Sequence, residues 1–250
     1  MNDQVPSQKA AGGNAPILRL QELRVTLTGS SILHGVAFDV APNGVTALLG
    51  RNGVGKTTTL RAIMGLVPSR GSICFDGMDI AGMATHRIAR RGIGYVPEDR
   101  AVFASLTVAE NLRLAQPDQS SERWSHMYEL FPVLRERSAQ PAGTLSGGEQ
   151  QMLALGRVLL MDNRLLLVDE PTKGLAPRIA TEVAAALTRI AAAVPVLLVE
   201  QNLAVVRHAA RHAVVLDTGR VVHAGDAAGL LADPRLTNEL LGVALKEPSR

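Results

Sequence analysis

The chain has 250 residues, 46% of them hydrophobic and 20% charged, which allows a large core and excludes wholesale disorder. Its 26 Lys and Arg against 23 Asp and Glu leave a formal charge of +3, with no dense basic block and only 3% aromatic residues, so charge and stacking give no basis for a nucleic-acid surface. A single cysteine, Cys74, excludes an internal disulfide and a multi-cysteine zinc site, and suits a reducing compartment.

Residues 1–16 are polar and small, lack the apolar centre of a secretory signal, and are expected to form a disordered tail. Residues 17–45 alternate β-branched stretches with turn residues, which predicts an antiparallel hairpin. VTALL (45–49) is a compact apolar run ending in a glycine-rich turn, as a buried strand would. After that turn Leu60, Ile63 and Met64 fall at helical spacing, and Gly65 is placed to end the helix. Ser72 to Phe75 reads as a strand closed by the Asp76-Gly77 turn.

From about residue 99 to 153 the apolar spacing becomes helical (Val108, Leu112 and Leu114; Trp124, Met127, Tyr128 and Phe131), interrupted by Pro117, Pro132 and Pro141. This predicts a helical insertion, with Trp124 as core. LLLV (165–168) and VLLV (196–199) are two further buried strands with a helix over 183–190 between them. Val214–Leu216 and Val221–His223 flank a DTGR turn and predict a closing hairpin. Buried strands alternating with helices imply a parallel α/β core. No stretch approaches about 18 uninterrupted apolar residues, so the chain is expected to be soluble with no transmembrane helix.

Two segments carry phosphate chemistry. GRNGVGKTT (50–58) matches G-x-x-x-x-G-K-S/T between a strand and a helix. Gly50, Gly53 and Gly55 let the backbone wrap phosphates closely. The N–H groups of the loop, through Arg51, Asn52, Val54 and on to Thr58, make an anion nest at a helix N-terminus. Lys56 would reach the β- and γ-phosphates, and the Thr57 hydroxyl would ligate Mg²⁺. LLLVDE (165–170) delivers Asp169 to the polar end of a strand, where it would hold Mg²⁺, and Glu170 beside it would orient or deprotonate an attacking water.

LSGGEQQ (145–151) then opens an apolar-periodic helix with Met152, Leu155, Val158 and Leu159. With this third motif the sequence resembles the ATP-binding subunits of ABC transporters, whose signature is LSGGQ or a close variant. The resemblance runs from about Leu18 to Leu241. It narrows to the ATPases of branched-chain amino-acid importers on LHGVAFDV (33–40), GRNGVGKTTTLRAIMGL (50–66), GIGYVPEDRAVFASLTVAENL (92–112), EPTKGLAP (170–177), LLVEQN (197–202) and LLADPR (230–235).

The resemblance implies a P-loop α/β core of ABC ATPase type over 17–241, with an antiparallel β subdomain, the helical insertion at about 99–153, and a tail at 242–250. It implies ATP hydrolysis in a site shared by two subunits, where Ser146, Gly147, Gly148 and Glu149 of one chain face the γ-phosphate on the other's loop. Partners would be a second ATPase subunit, identical or not, membrane permease subunits docking near Glu98, Val102, Phe103 and Leu106, and indirectly a solute-binding protein, with no nucleic acid. The place of action would be the cytoplasmic face of the inner or plasma membrane, held through the permeases.

Three positions depart from the family pattern. Leu27 stands where many relatives carry an adenine-stacking aromatic, leaving aliphatic packing on the base. Glu98 replaces a glutamine that senses Mg²⁺ and the permease; its carboxylate would ligate the metal or simply add charge. Gln201 replaces a γ-phosphate histidine; an amide still donates that bond but never becomes cationic, which would weaken this chain's own site relative to a histidine-bearing partner. Alternative readings are the same engine importing urea or short amides, and a soluble ABC ATPase acting on ribosomes or nucleic acid. His208 and His212, four apart on an expected helix beside Arg207 and Arg211, read as a solvated face rather than metal ligands; Cys74 reads as inert core.

Overall fold

Continuous apolar runs need burial on both faces, and a parallel sheet with packed surfaces on either side supplies it. The computed structural model describes residues 15–116 and 122–242; the expected tails lie outside these except for Ala15, Pro16 and Gly242, as does Pro117. β1 (Leu18–Leu27) and β2 (Ser30–Val40) form the expected hairpin, and β1 also pairs antiparallel with β4 (Arg70–Phe75), which turns into β5 (Met78–Asp79). These give a four-stranded sheet in the order β2-β1-β4-β5.

The second sheet contains β3 (Val45–Leu49), β6 (Ile93–Val96), β7 (Leu165–Asp169), β8 (Val196–Val199), β9 (Ala210–Asp217) and β10 (Arg220–Asp226), in the order β10-β9-β3-β8-β7-β6. All neighbours are parallel except the β9–β10 hairpin. Helices α1 (Lys56–Ile63) and α2 (Thr85–Arg90) precede β6. Between β6 and β7 come α3 (Val108–Arg113), α4 (Glu122–Leu130), α5 (Pro132–Glu136), a 3-10 turn (Ala142–Thr144) and α6 (Gly147–Leu159), which is the expected helical insertion. α7 (Pro177–Ile190) links β7 to β8, α8 (Leu203–Ala209) links β8 to β9, and α9 (Ala227–Ala232) and α10 (Pro234–Leu241) follow β10.

The alternation of strand side chains decides which core each joins. Leu165, Leu167, Leu197 and Val199 face the antiparallel sheet and α1, in a cluster with Leu20, Val25, Leu60 and Ile73. Leu166, Val168, Val196 and Leu198 face the helical side, with Leu112, Trp124, Leu155 and Val183. Trp124 is core, as expected.

Three expectations are corrected. Leu114 caps α3 and is exposed rather than on its buried face. Cys74 is only half-buried, because strand alternation sends Ile73 and Phe75 inward and Cys74 to the other face. The helix holding His208 stops at Ala209, where Ala210 takes an extended conformation and pairs with Val45; His212 therefore lies in β9 and shares no helical face with His208.

Candidate active site

Parallel pairing brings the carboxyl ends of β3, β8, β7 and β6 to one edge, with Leu48 opposite Val199, Val168 opposite Leu198 and Val96 opposite Val168. Each motif follows one of these ends, where open α/β sheets bind ligands. The loop after β3 enters α1 through Gly55, whose φ of +108° excludes ordinary side chains and whose Cβ would meet Leu33 at 2.5 Å. Lys56, the first residue of α1, is buried, and its Nζ donates to the carbonyls of Gly50 at 2.8 Å and Arg51 at 3.0 Å, closing the loop around the ammonium. Burial lowers its pKa, while Glu170 and then Asp169 act to raise it. Leu27 ends β1 half-buried at the margin of the inter-sheet core, as does Val54.

Asp169 is fully buried at the end of β7. Thr57 Oγ1 donates to its Oδ1 at 3.1 Å and Tyr95 OH to its Oδ2 at 3.4 Å. Burial pushes the Asp169 pKa up to about 6, the Thr57 bond opposing and the charges of Glu170 and Glu98 reinforcing the rise. Burial, then the charge of Asp169, likewise takes Tyr95 up to about 12.

A carboxyl whose folded pKa is raised binds its proton more tightly in the folded chain, so its contribution is most favourable below the unfolded pKa of about 4 and is lost as pH rises through about 6. Asp169→Asn should therefore stabilise the nucleotide-free chain at neutral pH, by about 2–3 kcal/mol on the linkage arithmetic. Urea unfolding of both proteins between pH 4 and pH 8 checks this, and a stability difference that does not grow with pH would contradict it.

Glu170 follows with φ of +44°, uncommon for a residue with a side chain, and its N–H donates to the Val199 carbonyl at 2.9 Å. Gln201, after the end of β8, donates from Nε2 to Glu170 Oε1 and to Asn52 Oδ1 at 2.6 Å, so one amide joins the phosphate loop to Glu170. Lys56 Nζ lies 3.7 Å from Glu170 Oε1, and Lys173 Nζ lies 3.5 Å from Oε2 and 2.6 Å from Glu98 Oε1. The charges alternate along Lys56, Glu170, Lys173 and Glu98. The Glu98 hydrogen bond, followed by the charge of Glu170, raises the Lys173 pKa. Glu98 thus faces a lysine and acts on Asp169 through charge. Sequence reading alone does not single out Tyr95 or Lys173; each lies in a motif quoted for the family resemblance, in GIGYVPE and EPTKGLAP.

The fourth motif lies at the start of α6. Exposed Ser146 caps the helix by accepting from Glu149 N at 3.3 Å, while Glu149 Oε2 accepts from Ser146 N at 2.8 Å, a reciprocal capping box. The Ser146 side chain is the main cause holding the Glu149 pKa down, and Arg137 lies 3.5 Å from its carboxylate. Gly148 is buried, its missing Cβ leaving room for Ile179 of α7 at 2.5 Å. Among the described residues no hydrogen bond or ion pair joins 146–149 to 50–58 of the same chain.

A family model described as ABC transporter matches residues 33–173. The high-affinity branched-chain amino acid transport ATP-binding protein BraG of Pseudomonas aeruginosa is 41% identical over 216 residues, covering 84% of this chain and 93% of BraG. The probable branched-chain amino acid transport ATP-binding protein LivF of Archaeoglobus fulgidus is 34% identical over 91% of this chain and 99% of its own. The lipopolysaccharide export system ATP-binding protein LptB of Haemophilus influenzae is 30% identical over 92% of this chain and 99% of its own. In fold, the chain is similar to a nucleotide-free ATP-binding cassette from an ABC transporter, with TM-score 0.77 and 23% identity over 89% of this chain and 98% of that one.

Proposed function

The chain belongs to the ABC transporter family as an ATP-binding, ATP-hydrolysing subunit, and from that premise we propose that it powers a membrane importer of branched-chain or related amino acids. The observation that supports the chemistry is the meeting of Lys56, Asp169, Glu170 and Gln201 at one sheet edge. The 41% identity to BraG supports the solute class, and the similarity to LptB shows that related engines serve other cargo.

In this reading the loop 50–58 wraps the phosphates of ATP, Lys56 lies against the β- and γ-phosphates, and Leu27 packs on the base. Thr57 and Asp169 offer two hard oxygen donors 3.1 Å apart, a set that fits Mg²⁺, which takes one or two protein oxygens and completes its shell with phosphate and water. Bound there, Mg²⁺ neutralises charge on the transferred phosphoryl group. Glu170 accepts a proton from the attacking water, with its carboxylate aimed by Gln201 and Lys56. Gln201, anchored also on Asn52, donates towards the γ-phosphate. Glu98, paired with Lys173, supplies charge beside the metal site rather than a ligand.

The separation of 146–149 from this chain's own phosphate loop fits completion of each site by a second ATPase subunit, identical or not. The N–H groups of Gly147 and Gly148 lie in the first turn of α6, whose N-terminus favours an anion. Among the described residues no helix is long and apolar enough to cross a membrane. Permease subunits would hold the chain at the cytoplasmic face, docking where Phe103 is exposed near half-buried Val102 and Leu106. A solute-binding protein would act through those subunits.

Reconstitution with the permeases and solute-binding protein of the same transporter should give ATP hydrolysis stimulated by leucine, isoleucine or valine, and uptake of that solute into vesicles. Stimulation by urea, a short amide or a lipopolysaccharide alone would overturn the amino-acid reading while leaving the ATPase intact.

A further inference from the structure

Glu200 has no part in the chemistry above, yet it is a buried carboxylate at the heart of the site, 3% exposed where β8 ends. Burying a charge is costly unless hydrogen bonds compensate, and three donors serve this one. The hydroxyl of Thr172, itself buried, donates to Oε1, and the backbone N–H groups of Gln201 at 2.7 Å and Asn202 at 3.0 Å donate to Oε2. Thr172 stands two residues after Glu170, and Gln201 one after Glu200. β7 and β8 are neighbours in register, Asp169 opposite Val199, so a single carboxylate ties together the two loops that carry Glu170 and Gln201.

We propose that Glu200 is a positioning residue for hydrolysis: by clamping the Gln201 backbone to Thr172, it holds the Gln201 amide against Glu170 and Asn52. Without the clamp the Gln201 loop keeps its sequence but loses its fixed offset from Glu170, and reacting geometry is sensitive to displacements of about 1 Å. Glu200 touches neither water nor nucleotide in this scheme. Its effect therefore falls on turnover and passes through Gln201, so the inference rests on the assignment of Gln201 above.

The test is a double-mutant cycle on ATP hydrolysis by the assembled transporter. Glu200→Gln, which turns an amide N–H₂ towards one of the three donors, should lower kcat by about tenfold or more with KM for ATP within about twofold. Thr172→Val should lower kcat in the same way, and Thr172→Ser, which keeps the hydroxyl, should restore it. In a Gln201→Ala background, Glu200→Gln and Thr172→Val should each change kcat by less than about twofold, because the path they act on is already gone. Should Glu200→Gln not fold, the Thr172 pair, which leaves the carboxylate and its two backbone donors in place, decides the question. Effects that multiply with Gln201→Ala, or a rise in KM matching the fall in kcat, would overturn the positioning role while leaving the Gln201 assignment standing. A Gln201→Ala protein that turns over at the wild-type rate would remove that assignment and the positioning role with it.

Discussion

Glu170→Gln is expected to keep ATP binding and to slow hydrolysis by about 10² or more, since an amide of the same shape has no basic oxygen to take the proton of the attacking water. The structure makes this sharper than a motif argument. Glu170 Oε1 already accepts from Gln201 and faces Lys56, and Oε2 faces Lys173 at 3.5 Å. These neighbours favour the ionised carboxylate, the form in which it acts as a base. The Gln side chain would fit the same space but would set its N–H₂ against a lysine or the Gln201 amide. The phosphate loop and its own bonds from Lys56 to Gly50 and Arg51 do not involve Glu170, so nucleotide affinity should change little. With turnover blocked and ATP retained, the variant should accumulate as an ATP-bound dimer. Steady-state hydrolysis with the membrane partners, ATP titration and gel filtration check the three parts. A rate within about threefold of wild type would remove Glu170 from the role of base.

Sequence made the site's chemistry legible because its pieces are local. A glycine-rich turn between strand and helix, an acidic pair after LLLV and a serine–glycine helix start each state their function within ten residues. The strands of the parallel sheet were legible for a related reason: β3, β7 and β8 are buried on both faces and read as unbroken apolar runs. β6 was not, because GIGYV carries a glycine where a strand former would signal it, and its Gly94 is needed where Asn163 approaches to 2.7 Å of a would-be Cβ. The end of α8 was not legible either, since sheet pairing of Ala210 and His212 with β3 overrides a helical pattern in HAARH.

The contacts that assemble the site are long-range. Lys173 meets Glu98 across 75 positions, and Gln201 meets Asn52 across 149. Local spacing contains neither; both follow from the strand order, which places β3, β8, β7 and β6 side by side. Glu98 illustrates the consequence. Its identity alone left metal ligation and added charge equally open, and a lysine beside it in space decides for charge.

Lys56→Ala is expected to weaken ATP binding by about 10- to 150-fold, which is the loss of a charged hydrogen-bonding group worth about 1.5–3 kcal/mol. Two further consequences follow from where Lys56 lies. Its ammonium clasps the Gly50 and Arg51 carbonyls, so its loss frees those acceptors and loosens the loop that must wrap the phosphates. It also leaves Glu170, buried, with the exposed Lys173 as its remaining cation at 3.5 Å. Lys56→Arg should not rescue binding, because a planar guanidinium does not fit a seat built for a compact ammonium between two carbonyls. Calorimetric titration with ATP, beside thermal unfolding of the nucleotide-free variants, separates the lost phosphate contact from the loosened loop. A loop effect lowers the unfolding midpoint in the absence of ATP. A phosphate contact appears in the difference between wild-type and variant midpoints, which should widen as ATP is added, because ligand stabilisation follows affinity. Equal ATP affinity in wild type and Lys56→Ala would reduce Lys56 to a clasp of the loop and leave phosphate binding to the backbone nest and the N-terminus of α1.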